Sequence, residues 1–207
     1  MPDLVSLSFD EAGRGCLAGP VAIGCVSFSL STLEKIKSGQ ILEGIRDSKI
    51  LKLKDRLRLR KEILNIAQYH KVVFVSPRFI DRYNINNAIF YGIGRAIPTK
   101  EDPRFLFVDG NYKIKVTKQI LGYHSIPKGD DLVPSISAAS ILAKTYRDEW
   151  MEEMDKRFPG YGFKNHKGYG TLEHRKNLEQ LGISRIHRLS FCKFLRSSES
   201  DPSLFAE

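Results

Sequence analysis

Residues 4–20 most constrain the fold. An apolar run, Leu4 to Phe9, leads into two adjacent carboxylates, Asp10 and Glu11, and then into a loop holding Gly13, Arg14, Gly15 and Gly19. A short apolar run reads as a strand, so a strand is expected to end in both acids and turn through glycines. A second apolar run, Val21–Leu30, predicts its neighbouring strand. Carboxylate oxygens suit hard divalent cations such as magnesium and manganese. A Gly-Arg-Gly turn lets backbone amides and a guanidinium approach a phosphate or a sugar. Cation and phosphate side by side point to phosphodiester chemistry. Taken alone, the segment is read equally well as a solvated hairpin turn.

Two further places supply acids. Asp109 ends the apolar run Phe105–Val108, which is expected to be a strand buried on both faces. A carboxylate at the end of a central strand sits where α/β sheets bind ligands. Asp130 and Asp131 precede a long predicted helix, Pro134–Phe158, where an acid can also serve as a cap. Either one of the pair can cap while the other binds metal. Acids therefore stand at 10/11, 109 and 130/131, and spacing alone does not bring them together.

The rest of the chain predicts strands first and then strands alternating with helices. A helix is expected over Leu51–Ala67, a strand over Val72–Val75 stopped by Pro77, and a helix over Asn84–Ile97. Residues 32–50 read as irregular, and a strand region is expected over Lys115–Ile126. Small residues from Ser137 to Ala143 leave room for something to pack close to the long helix. A glycine-rich loop over Gly160–Gly170, a helix over Thr171–Leu181, a short helix within Ile186–Leu195 and a polar tail from Ser197 complete the reading. This pattern implies an α/β fold, a mixed sheet flanked by helices with a helical C-terminal extension.

The 207 residues suit one domain with a sizeable core or one domain plus an appendage. The formal net charge of +9 favours a polyanionic partner, nucleic acid before an acidic membrane surface. Three cysteines without metal-site spacing argue against a disulfide framework and for a reducing compartment. No membrane span or signal peptide is read, so a cytoplasmic protein is expected, with a monomer as the default state.

Taken in order, the motifs resemble one family. They are Asp10-Glu11-Ala12-Gly13-Arg14-Gly15, Leu17-Ala18-Gly19-Pro20-Val21, Asp47-Ser48-Lys49, Val108-Asp109-Gly110, Lys128-Gly129-Asp130, and the run Ser137 to Lys144. Further along come Arg147-Asp148, Pro159-Gly160-Tyr161, His166-Lys167-Gly168-Tyr169-Gly170-Thr171 with His174, and His187-Arg188 with Ser190-Phe191. The chain is similar to type 2 ribonucleases H, the ribonuclease HII family. Cys16 stands where many relatives have proline.

The resemblance implies a ribonuclease H-like catalytic domain over residues 1–158 and a basic helical region over 159–207 packed on it. It implies a catalytic, metal-binding set of Asp10, Glu11, Asp109 and Asp130, with Asp131 as second choice for the last, and Mg2+ or Mn2+ as cofactor. The implied substrates are RNA–DNA hybrids and duplex DNA with embedded ribonucleotides. The RNA strand would be cut 5′ of a ribonucleotide, leaving a 3′-hydroxyl and a 5′-phosphate. Gly13, Arg14 and Gly15 would read the 2′-hydroxyl, and Tyr169 would stack on the adjoining sugar. Lys49 would contact phosphate, with Ser140, Lys144 and Arg147 as weaker candidates for backbone contacts. Basic residues from Lys164 to Arg196, Arg188 among them, would grip the duplex, and His166 and His174 are read as loop structure or phosphate contacts. The alternatives are a type 3 ribonuclease H, which would need an N-terminal substrate-binding domain, and a non-catalytic hybrid-binding module, which a missing acid would favour.

Overall fold

In the computed structural model, the described residues are 5–46, 48–99, 104–113 and 120–197. Strand β1 (Val5–Ala12) carries Asp10 and Glu11 inside its last turns of pleat and not beyond its end. β2 (Val21–Ser27) runs back against it, with Asp10 opposite Gly24 and Glu11 opposite Ile23. Helix α1 (Leu30–Lys37) replaces the irregular stretch expected there. Its start is set by Ser29, whose hydroxyl accepts from the Thr32 amide at 3.0 Å, and Lys35 and Lys37 favour its C-terminal end. Helix α2 (Leu53–Ile66) and strand β3 (Tyr69–Val75) follow as expected. Pro77 stops β3 and also opens a helix that the sequence reading missed, α3 (Pro77–Tyr83), because proline suits a first helical turn. Asn84 ends α3 and caps α4 (Ile85–Ala96), accepting from the Asn87 amide at 3.0 Å.

β4 (Arg104–Asp109) and β5 (Ile120–Ile126) complete one sheet of order β3-β2-β1-β4-β5. The β1–β4 and β4–β5 pairs are parallel, and the other two are antiparallel. The part of the expected 115–126 strand before residue 120 lies outside the described residues, as do Asp47 and the tail from Ser198. β4 is not covered on both faces as expected. Leu106 and Val108 are buried, while Phe105 and Phe107 are half covered and Phe107 stacks on His124 of the outer strand.

A one-turn helix, α5 (Gly129–Leu132), precedes the long α6 (Pro134–Arg157). Two apolar layers sandwich the sheet. Leu7, Phe9, Ile23 and Val108 pack with Ile80, Ile89 and Ile93 of α3 and α4 on one face. On the other, Val26 packs with Ala138, Ala139 and Leu142 of α6 and with Leu59 and Ile63 of α2. The small-residue run of α6 meets Gly24, where an added Cβ would stand 2.1 Å from the Ala139 carbonyl oxygen. Only glycine on β2 lets α6 lie this close.

Beyond α6 come a helical turn α7 (Phe163–His166) inside the expected glycine loop, helix α8 (Leu172–Leu181) and a last turn α9 (Phe194–Ser197). The single short helix expected over 186–195 is instead a 3-10 turn at Leu189–Phe191 followed by α9. Asp81 of α3 holds that turn, accepting from the Leu189 and Ser190 amides at 3.0 and 2.9 Å. Tyr161, Phe163, Leu178 and Ile186 share an apolar cluster with Leu17, Met151 and Met154. No helix among the described residues is long and apolar enough to cross a membrane.

Candidate active site

Neighbouring residues on a strand point to opposite faces, so Asp10 and Glu11 separate. Asp10 lies on the face of Ser8, whose hydroxyl donates to Ser135 of α6 at 2.7 Å. Parallel pairing of Phe9 with Val108 sets Asp10 beside Asp109 on the next strand. Asp109 accepts from the Gly129 amide at 2.7 Å, which pins α5 against the end of β4 and swings Asp130 over the same face. One carboxylate oxygen each from Asp10, Asp109 and Asp130 lies within 4.8 Å of the others. Asp130 is buried and Asp131 is exposed, so the first of the pair is the one that joins the cluster.

Asp10 has one oxygen satisfied, accepting from the Glu11 amide at 2.7 Å, while its buried Oδ2 has no hydrogen-bond partner among the described residues. Burial, and then the Glu11 charge, push its carboxyl well above the usual range. The nearby Ser140 hydroxyl, which also pairs with Ser48 at 2.8 Å, works against that shift. Lys49 Nζ stands 3.3 Å from Asp130 Oδ2.

Glu11 faces the α4 side of the sheet. The Tyr112 hydroxyl donates to its Oε1 at 2.9 Å, and Arg14 Nη1 is 3.8 Å away. Arg14 in turn donates to the Tyr112 oxygen and, at 2.8 Å, to Asn86 Oδ1. Burial raises the Glu11 carboxyl, and the Tyr112 hydrogen bond opposes the rise.

Asp10, Glu11, Arg14, Lys49, Asp109 and Ser140 open into one cleft, lined also by Gly13, Gly15, Ser48, Lys144 and Tyr169. Gly13 takes φ +86°, and a Cβ on it would fall 1.9 Å from Arg147 Nε, so the turn needs glycine for internal reasons. A Cβ on Gly15 would meet nothing within 4 Å, so any demand for glycine there must come from a ligand. Lys144 Nζ pairs with Asp148 at 2.8 Å and stands 5.6 Å from the centre of the Tyr169 ring. That ring is 39% exposed at the mouth of the cleft.

Residues 7–194 match the family model described as Ribonuclease HII. The Ribonuclease HII of Christiangramia forsetii is 43% identical over 183 residues, covering 88% of this chain and 87% of that protein. That of Caldicellulosiruptor bescii is 43% identical over 191 residues, covering 91% and 86%. The chain belongs to the ribonuclease HII family.

It is accordingly an enzyme of the ribonuclease H class. The fold agrees. The crystal structure of the ribonuclease H2 from Pyrococcus horikoshii superposes with a TM-score of 0.75 at 22% identity, covering 96% of this chain and all of that one. The ribonuclease HII in a PCNA complex from Archaeoglobus fulgidus gives 0.70 at 25% identity, covering 90% and 94%.

A divalent metal fits this ribonuclease HII site on the chemistry of its donors. Clustered carboxylates repel one another unless a cation neutralises them, and the Asp10 oxygen without a partner among the described residues has the chemistry of a cation ligand. Glu11 is set apart from the three aspartates by strand alternation and reaches the cleft from the other side of β1.

Two expected nucleic-acid contacts are turned inward. Arg147 is fully buried and donates to the carbonyls of Pro20, Ala18 and Lys167 at 2.9, 3.0 and 2.9 Å. Arg188 is also fully buried and donates to the Gly19 and Arg14 carbonyls, both at 2.9 Å. These cations brace the glycine-rich loop and are not available to phosphate. His166 and His174 are buried as well, which leaves loop structure as their role. Tyr112 and Asn86 were missed. The Asp109-Gly110 turn, with Gly110 at φ +89°, is the signal that the chain doubles back after β4 and returns the next aromatic toward Glu11.

Proposed function

We propose that this chain hydrolyses the RNA strand of RNA–DNA hybrids on the 5′ side of a ribonucleotide, including a single ribonucleotide embedded in duplex DNA, leaving a 3′-hydroxyl and a 5′-phosphate. The observation that carries the reading is a cluster of three convergent aspartates, two of which line the cleft shared by the Gly13–Gly15 turn and an exposed tyrosine ring. Asp10, Asp109 and Asp130 would hold Mg2+ or Mn2+, with Glu11 completing the set from the far side of β1. Divalent ions bound there would supply activation of the attacking water and stabilisation of the leaving 3′-oxygen.

The chain's own residues do the remaining work. Asp10 contributes an oxygen, Oδ2, that has no hydrogen-bond partner among the described residues. Tyr112 holds Glu11 in place, and burial followed by the Glu11 charge keeps its phenol protonated. Backbone at Gly15, with open space around it, can approach a ribose 2′-hydroxyl, the group that separates RNA from DNA. Tyr169 offers a ring face to the adjoining sugar, while Lys49 and Lys144 bring positive charge to the phosphate. Ser140 supports the acid side of the cleft through Ser48. All of these residues come from one chain, so the reading needs one copy, acting in the cytoplasm.

The test is cleavage of a DNA duplex carrying one ribonucleotide, against an all-DNA control, in Mg2+, in Mn2+ and in chelator. The expected result is a single cut 5′ of the ribonucleotide with either metal and none in chelator or in the control. Cutting of the all-DNA duplex at the same rate, or cutting that persists in chelator, would contradict the reading.

A further inference from the structure

The backbone of Leu17–Gly19 lies between two other segments of the chain. On one side the Leu17 and Ala18 amides both donate to the Gly168 carbonyl, at 2.8 and 3.3 Å. On the other, Arg188 N donates to the Leu17 carbonyl at 2.8 Å and Gly19 N to the Ile186 carbonyl at 2.9 Å, with Ala18 bridged to His187. From this shared backbone His187 and Arg188, two adjacent residues, reach in different directions.

Arg188 reaches the arginine of the glycine turn, donating from Nη1 to the Arg14 carbonyl at 2.9 Å. A trans peptide is planar, with its C=O and the following N–H pointing opposite ways. Holding the Arg14 oxygen inward therefore aims the Gly15 N–H away from the Arg188 side. Gly15 is the glycine whose surroundings are open.

His187 reaches Tyr169 through a second histidine, and the partners fix every proton on the way. The Ser184 amide donates to His187 Nδ1 at 3.0 Å, so that nitrogen is bare and Nε2 carries the proton. His174 Nδ1 lies 2.9 Å from the Tyr169 carbonyl oxygen, which can only accept, so this nitrogen carries a proton and His174 Nε2 is bare. The two Nε2 atoms are 3.0 Å apart, one a donor and the other an acceptor. The backbone groups at the two ends thus fix, independently of each other, a directed chain from Ser184 through His187 and His174 to Tyr169. His166 stacks on His174 with ring centres 4.2 Å apart and accepts from Gly168 N at 3.2 Å, which confines the same loop from behind.

We propose that His187, with His174, and Arg188 are positioning residues that fix the gap between the Gly13–Gly15 turn and Tyr169, and so set how strictly the enzyme demands a ribose next to a deoxyribose. This deepens the reading of that cleft given above and rests on it. Both arms end on backbone oxygens of residues assigned to the sugar, and neither touches an acid. The acids are aligned by β1–β4 pairing and by the Gly129 contact. Loosening the arms therefore changes discrimination and leaves ion binding in place.

The experiment compares kcat/KM on a duplex with one ribonucleotide and on a long RNA–DNA hybrid, for wild type, His174→Leu, His174→Asn and Arg188→Lys. Mn2+ affinity is measured by calorimetry on each. His174→Leu removes the donor to Tyr169, while an asparagine amide can replace it. Arg188→Lys keeps the charge and loses the planar fork. The expected result is a ratio of single-ribonucleotide to hybrid cleavage lowered about tenfold in His174→Leu and Arg188→Lys, as small misplacements of a reading group produce. His174→Asn recovers most of that ratio, and Mn2+ affinity is retained throughout. An unchanged ratio in a folded variant, or equal losses on both substrates, would overturn the proposal. If His174→Leu does not fold, Arg188→Lys decides it. A wild type with no junction preference would overturn the underlying reading and the inference with it; a preference that survives in the variants overturns the inference alone.

Discussion

At the scale of single residues the centre of the molecule is Asp10, a buried carboxyl with three acidic neighbours and an oxygen without a hydrogen-bond partner among the described residues. Its folded pKa stands above the ordinary value of 3.8, chiefly through burial and then through Glu11. The protonated carboxyl therefore favours folding below that value, and the advantage fades as pH rises through the folded pKa. At neutral pH without metal the charged form is a cost to the fold. Asp10→Asn is expected to raise the melting midpoint in chelator by about 2–4 °C, the shift that roughly 1 kcal/mol produces in a chain of this size. The same change removes the proposed metal ligand and a charge, and cleavage is expected to fall on the order of a thousandfold. Melting curves in chelator and single-turnover rates in Mg2+ check both halves, and near-normal turnover would contradict the role given to Asp10. The glycines at 13 and 15 look alike in sequence. Their backbones differ because only Gly13 is packed against a buried guanidinium, a contact made across 134 positions of chain from residue 13 to Arg147.

At the scale of elements, the histidine pair ties the α7–α8 loop to the 184–188 segment. Burial first, opposed at His174 by the Tyr169 carbonyl and reinforced at His187 by His174, pushes both imidazoles down to about 4 from the ordinary 6.5. The unfolded chain takes up protons between those values that the folded pair refuses. Their contribution to stability is therefore complete above about pH 6.5 and is lost as pH falls toward 4. The melting midpoint of wild type is expected to drop more steeply over that window than that of the double variant His174→Asn, His187→Gln. Parallel curves would show that the pair does not carry this dependence.

The strands, the long helix and the close packing promised by Ser137–Ala143 were legible because they rest on local patterns. Helix α3 was hidden because Pro77 reads as a strand breaker before it reads as a helix opener. The four acids were legible from the motifs, and the approach of three of them follows from strand register and one backbone contact. Tyr112, the inward turn of Arg147 and Arg188, and the histidine chain were not legible. Each depends on hydrogen bonds between elements far apart in sequence, which no local spacing encodes.

At the scale of the whole molecule, a chain of net charge +9 also carries a cluster of three aspartates. Lys164, Arg175, Lys176, Arg185 and Lys193 are exposed on the C-terminal third, where a polyanion can meet them. Affinity for a nucleic-acid duplex is expected to fall linearly in log K against log salt, with nearly the same slope whether or not a ribonucleotide is present, because counterion release is independent of sequence. Fluorescence anisotropy titrations between low and physiological salt measure this, and salt-independent binding would contradict a phosphate-gripping surface.

The proposed chemistry depends on Asp10, Asp109 and Asp130 converging on shared cations. Anomalous diffraction from crystals of the protein soaked in Mn2+ tests it most directly. Manganese peaks bounded by oxygens of all three aspartates, with the Asp10 Oδ2 among the ligands, are the predicted result. A map with these carboxylates free of manganese while the metal sits elsewhere on the protein would contradict it.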